Sequence, residues 1–220
     1  MKHIKWPAPL AAIGRSIVMW WDGWLDFWVI SMVWALAQVT VVLGPPATFG
    51  LYHVIHLMAH EGDSTGIKGM FQGARMYFGK SLVWGLINWA ALLLAFVNIG
   101  FYIQVENTIG LIARWIVIVL TITYLVAQFY AVAFFMQMQD DSKKVLMALR
   151  NGLFLALGQP IFTFVLVLFA VLVMGLSVGL VIPFFLGTPA LIAVLGTEGM
   201  RDRLRAFNLI KKEVDPREVV

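Results

Sequence analysis

Six apolar stretches pattern the chain, at about 18–43, 47–60, 81–104, 109–136, 160–178 and 180–199, and charged residues collect between them. A helix crossing a bilayer core of about 30 Å needs roughly 20 apolar residues. Four or five of the stretches reach that length. The stretch 47–60 does not, because its fourteen residues give roughly 21 Å of helix at about 1.5 Å each. Between the stretches the pattern changes. In 141–158, Val145, Leu146, Leu149, Leu153 and Leu157 recur at helical spacing, while Lys143, Lys144, Arg150 and Asn151 are polar. Such a helix lies along an interface with its cations towards anionic headgroups. The pattern predicts an all-α polytopic transmembrane bundle of five to six membrane segments with interfacial amphipathic helices. It forms one integral membrane domain over 1–200, followed by a basic cytoplasmic tail over 201–220.

Composition agrees with lipid as the solvent. The chain is 61% hydrophobic and 13% charged, whereas a soluble domain is about half apolar and about a quarter charged. The absence of cysteine excludes disulfides, thiolate catalysis and Cys-ligated zinc or iron–sulfur centres. A pI near 9.5 points to cytoplasmic loops rather than nucleic acid, since no basic face lies outside those loops. The start, "MKHIKWPAPLAAIGRS", is basic but Arg15 interrupts it before any clean apolar core. An uncleaved first anchor is therefore expected.

Charge sets the orientation. With the N-terminus inside and every stretch crossing or returning, Lys2, Lys5, Arg15, Lys68, Arg75, Lys80, Lys143, Lys144, Arg150 and the cations from Arg201 onward are cytoplasmic. Of the sixteen Lys and Arg only Arg114 falls outside, near Glu106. That is a strong positive-inside bias, with both termini cytoplasmic. It requires the chain to return directly after Pro46. In this reading Pro45 stops the first span, because a proline lacks the amide donor and clashes with the preceding turn. Pro46 then opens the return helix.

The device recurs. "LGPPA" (43–47, with Gly44, Pro45 and Pro46) has a near-copy in "LGTPA" (186–190, with Gly187 and Pro189), although "GLSVG" (175–179) could also turn. Segment 62–82 resembles 140–160. Together these suggest three helical hairpins at about 1–61, 62–139 and 140–201, each an amphipathic helix, a span out and a span back.

Candidate chemistry is sparse. His53, His56 and His60 share one helical face at i, i+3 and i+7, followed by Glu61 and Asp63. Imidazole and carboxylate suit zinc, copper, iron or nickel, but the third histidine stands about 10 Å along the axis from the first. The alternative is a set of interfacial histidines with wet tips. Asp22 and Asp26 form an i, i+4 pair near the cytoplasmic boundary, where ion pairs with cations such as Arg75 are expected, as for Arg150 further on. Within the spans Gln38, Asn88 and Gln128 are neutral polar residues fit for helix contacts or for lining a pathway. No ionisable group sits at a midplane, which argues against a proton-coupled pump. No cofactor is implied.

Three motifs, "GPPATFGLYHV", "FQGARMYFGKSLVWGLI" and "ALRNGLFLALGQP", resemble the YesL-like family of small bacterial multi-pass membrane proteins. The family's Gly-Pro-Ala-Thr element corresponds to Gly44, Pro46, Ala47 and Thr48, with Pro45 additional. Members often lie beside genes for carbohydrate-uptake transporters. The resemblance thus implies a non-enzymatic accessory or structural subunit in a bacterial plasma membrane, in contact with lipid and with other membrane subunits. The alternatives are a small-solute transporter or channel in its own right and, resting only on the histidines, a metal- or quinone-linked membrane enzyme.

Overall fold

The computed structural model describes residues 7–62, 65–139, 143–180, 185 and 187–210. Asp63, Lys2, Lys5 and the chain beyond Ile210 lie outside the described residues. Within them the protein is all-helical. Nine helices follow in order: α1 (Ala8–Asp22), α2 (Trp24–Val39), α3 (Gly44–Glu61), α4 (Gly66–Met76), α5 (Phe78–Ile103), α6 (Thr108–Gln137), α7 (Val145–Gly158), α8 (Pro160–Leu180) and α9 (Thr188–Ala206). Three of these, α5, α6 and α8, are long and apolar enough to cross a membrane on their own.

The helices fall into three successive groups of three, and in each group the first helix passes into the second through one residue. Gly23 makes the first joint with φ −107 and ψ 20. Tyr77 makes the second with nearly the same backbone, φ −105 and ψ 15. Gln159 makes the third at φ −139 and ψ 67, because it precedes Pro160, which disfavours helical geometry in the residue before it.

Several expectations are corrected here. The apolar run 18–43 is not one helix; it bends at Gly23, so its tryptophans are shared between α1 and α2. The break before the return helix is not made by Pro45. α2 already ends at Val39, Val41 takes a left-handed φ of 55, and both prolines sit in the first turn of α3. There their missing amide donors are no loss. α3 accordingly starts at Gly44 and has 18 residues, about 27 Å. "GLSVG" does not turn, since α8 continues through Leu180. The α7 pattern is not corrected but completed: Leu146 and Leu157 are exposed, and the face packed on the protein is Val145, Ala148, Gly152, Leu155 and Ala156. Small residues there let α7 approach the α6 backbone: a Cβ on Gly152 would lie 2.7 Å from the Ala127 carbonyl oxygen. Finally, Arg201, Arg203 and Arg205 belong to α9 rather than to a tail.

α3 and α9 occupy the centre. α3 packs against α2, α4, α5, α6 and α9, and α9 against α1, α2, α3, α6 and α8. Close approach is possible because small residues line the contacts. A Cβ on Gly196 would lie 2.6 Å from the Phe129 carbonyl oxygen. One on Gly85 of α5 would lie 2.5 Å from Cγ of Pro45. The Pro45 contact fixes a register: the α2–α3 apex stands beside Gly85. Leu86–Ile103 continue past it for eighteen residues, about 27 Å, in a hairpin with α6, the helix that α5 contacts most.

Candidate functional site

Polar side chains concentrate at the C-terminal ends of α3 and α9. On α9, Glu198 and Arg201 are buried and lie one turn apart, with Arg201 Nη1 3.2 Å from Glu198 Oε1. Arg15 of α1 reaches both Glu198, at 3.4 Å, and Asp202, at 2.5 Å. Arg203 pairs with Asp202, donates to Oε1 of Gln159 at 2.7 Å and lies 4.0 Å over the Phe162 ring. This network joins α1, the α7–α8 joint and α9. Burying such a pair is tolerable only because each charge keeps its partner.

The α3 side is built from imidazoles. His53 is buried, edge-on to the Tyr77 ring at 5.9 Å. Gly73 of α4 is what admits it, since a Cβ there would lie 2.5 Å from Cβ of His53. Lys143 Nζ donates to the Tyr77 hydroxyl at 2.8 Å and sits 4.9 Å over the ring. Tyr77, the joint between α4 and α5, thereby also orders the approach to α7. Further along α3 the rings of His56 and His60 meet at 4.4 Å, and His60 Nε2 lies 3.1 Å from Gln137 Oε1. Burial holds the His56 pKa down, to about 4. The neighbouring positive charges of His60, Lys143, His53 and Arg201 act in the same direction. His56 is therefore neutral near pH 7.

The candidate metal set is thus divided. His53 packs on Tyr77, whereas His56 and His60 face each other and the end of α6. No group of three His, Asp or Glu among the described residues is placed to hold a metal ion. The side chain of Glu61, like Asp63, lies outside what the structure describes.

The remaining polar candidates occupy two separate places. Gln38 donates to the Gly44 carbonyl at 3.3 Å, beside Thr48, which also accepts from Trp34 at 3.0 Å. It closes the α2–α3 apex. Asn88 and Gln128 lie together between α5 and α6. Trp84 Nε1 donates to Gln128 Oε1 at 3.0 Å, and the Tyr124 hydroxyl to Asn88 Oδ1 at 3.0 Å. Asp26 lies against Gly66, where a Cβ would meet its carboxylate at 2.9 Å. Among the described residues no ion pair joins Asp26 to Arg75 or Arg150. Asp22 closes α1. Gly187 takes φ +111, its carbonyl accepts from Trp20 Nε1 at 3.0 Å, and Pro189 follows in the first turn of α9.

Sequence reasoning missed the Arg15–Glu198–Arg201–Asp202 network. The available signal was Gly196 and Gly199 flanking Glu198, a small-residue face that carries a carboxylate into a helix contact.

Compared with protein-family models, curated proteins and solved structures, the chain matches none.

Proposed function

We propose that the chain is a non-catalytic accessory subunit of a membrane transport system, a YesL-like multi-pass protein of a bacterial plasma membrane with both termini cytoplasmic. In this reading α2, α3, α5, α6, α8 and α9 are the six membrane segments, and α1, α4 and α7 lie at the cytoplasmic boundary. The Pro45–Gly85 register then makes α2–α3 a shallow hairpin that turns well short of the α5–α6 tip. His56 and His60 fall beyond the level of Tyr77, outside the bilayer.

The observation that carries this reading is the bare α5–α6 hairpin. Past Asn88 both helices expose large apolar side chains on their flanks, among them Leu93, Phe96, Ile116 and Leu120. Arg114 and Glu106, the outer cation and its nearest carboxylate, have no side-chain partner among the described residues. Lipid alone can cover the apolar flanks, but opposite charges left without side-chain partners near the tip suit docking to another membrane protein. The family resemblance makes a carbohydrate-uptake transporter the expected class of partner. A pathway through the chain itself draws less support, because Gln38, Asn88 and Gln128 already bond to adjacent helices.

The chain's lack of cysteine makes the test direct. Leu93→Cys and Ile116→Cys variants, purified in mild detergent after crosslinking in cells, are expected to capture one membrane protein. Arg114→Glu is expected to weaken that capture. A chain that purifies alone, with no crosslink from either position, overturns the accessory role.

A further inference from the structure

α4 has two dissimilar faces. The inner one is built from Gly66, Gly69, Gly73 and Met70, all buried. Because the glycines carry no side chain, α4 lies flush against α3. The outer face borders a shallow open groove of about 650 Å³ lined by Phe71, Gln72, Arg75 and Met76. Phe71 is 61% exposed and Met76 57%. Arg75 and Gln72 are also exposed, and among the described residues neither side chain makes an ion pair or hydrogen bond. One residue, Tyr77, separates this helix from α5, a 26-residue apolar helix. The groove therefore stands where that helix would leave a bilayer.

We propose that this groove binds the headgroup of an anionic phospholipid from the cytoplasmic leaflet. A guanidinium presents two parallel N–H donors to a phosphate diester, and an amide can add a third. Gln72 and Arg75 are three residues apart, so both reach the same side of the helix. Phe71 and Met76 flank them with apolar surface suited to the first carbons of the acyl chains. A free phosphate ion would leave those two side chains unused, which is why a lipid is the occupant. Lys68, one turn before Gln72, and Lys80, just inside α5, add positive potential. A zwitterionic headgroup brings its own cation into that field and is disfavoured. The inference rests on the bilayer placement proposed above and on no partner protein.

Native mass spectrometry of the full chain in detergent, titrated with phosphatidylglycerol, phosphatidylethanolamine or inorganic phosphate, tests it. Retention of phosphatidylglycerol is expected to exceed that of phosphatidylethanolamine by about tenfold, the worth of one charge-assisted contact. R75Q with Q72A should abolish the preference, and R75K should keep part of it, since a lysine retains charge but not the two-pronged geometry. R150Q, on the exposed side of α7, should leave it intact. Equal retention of both lipids overturns the site, as does an unchanged preference in R75Q with Q72A, or displacement of the lipid by inorganic phosphate. R75Q lies on an exposed position, and a monodisperse elution profile verifies its fold. Labelling of K68C by a membrane-impermeant maleimide on intact cells would instead sink the bilayer placement, whatever the lipid titration gives.

Discussion

The two central helices and the long hairpin invert the usual relation between apolarity and burial. α3 and α9 carry histidines, threonines, carboxylates and arginines, yet they are the central elements. α5 and α6 are far more apolar, yet an eighteen-residue apolar stretch of each is only 6% buried, and α6 enters the core mainly through Ala127 and Tyr130–Met136. In water this would be an unstable arrangement. In lipid it is the expected one, because hydrocarbon outside gives no reason to bury leucine. Packing, small residues and polar contacts decide instead which helices go inside. The comparison teaches that the centre of this protein was chosen by shape and charge, and its periphery by lipid.

The hardest blow to that division should come from the central carboxylate. Removing Glu198 takes away the carboxylate that buried Arg201 and Arg15 share, and breaking a buried pair costs about 3–5 kcal/mol. Glu198→Ala should therefore lose most of its folded fraction in a thermal ramp read by size-exclusion fluorescence. Adding Arg201→Met should restore part of it, since apolar replacement of both members of a buried pair is often neutral or stabilising. A silent Glu198→Ala would mean that the centre is not organised by charge.

A smaller effect separates the regions by shape. Gly196→Leu drives a side chain into the Phe129 carbonyl, a backbone atom that cannot swing away. Overpacking of this kind costs about 1–3 kcal/mol. Gly100→Leu, near the end of α5, meets nothing within 4 Å and should leave the melting temperature unchanged. Equal losses at the two positions would erase the distinction between a packed centre and a lipid-facing hairpin.

Much of the periphery was legible in the sequence, and little of the centre. The stretches 81–104 and 109–136 correspond closely to α5 and α6, because long uninterrupted apolar runs report lipid exposure directly. The Gly23 bend was hidden because Trp20, Trp21 and Trp24 keep the run apolar through the joint. On α7 only the outer side was legible. Its leucines and cations mark an interfacial helix, and Leu146 and Leu157 are exposed, but nothing in that pattern says that Ala148, Gly152 and Ala156 make the contact with the protein. Charges near the chain's end read as a solvated tail because no local pattern says that Glu198 and Arg15, 183 positions apart, will meet. Periodicity puts the histidines on one helical side, but which neighbour each meets depends on Tyr77 and Gln137 from elsewhere in the chain.

The smallest expected effect tests what holds the hairpin together. Tyr124 donates to Asn88 across α5 and α6 at 3.0 Å, and Asn88 in turn donates to the Trp84 carbonyl at 2.7 Å. Polar contacts of this kind inside a bilayer average only about 0.6 kcal/mol, because the separated helices find other partners. Tyr124→Phe should accordingly lower stability by about that amount, and so should the coupling between Tyr124→Phe and Asn88→Leu in a double-mutant cycle. The cycle is the sharper measurement, since it cancels whatever each substitution does to its own helix. A coupling of about 2 kcal/mol or more would exceed the range seen for such contacts. It would show that α5 and α6 are pinned by their polar pair as the centre is by its charges, and the contrast between the two regions would then be one of depth rather than of kind.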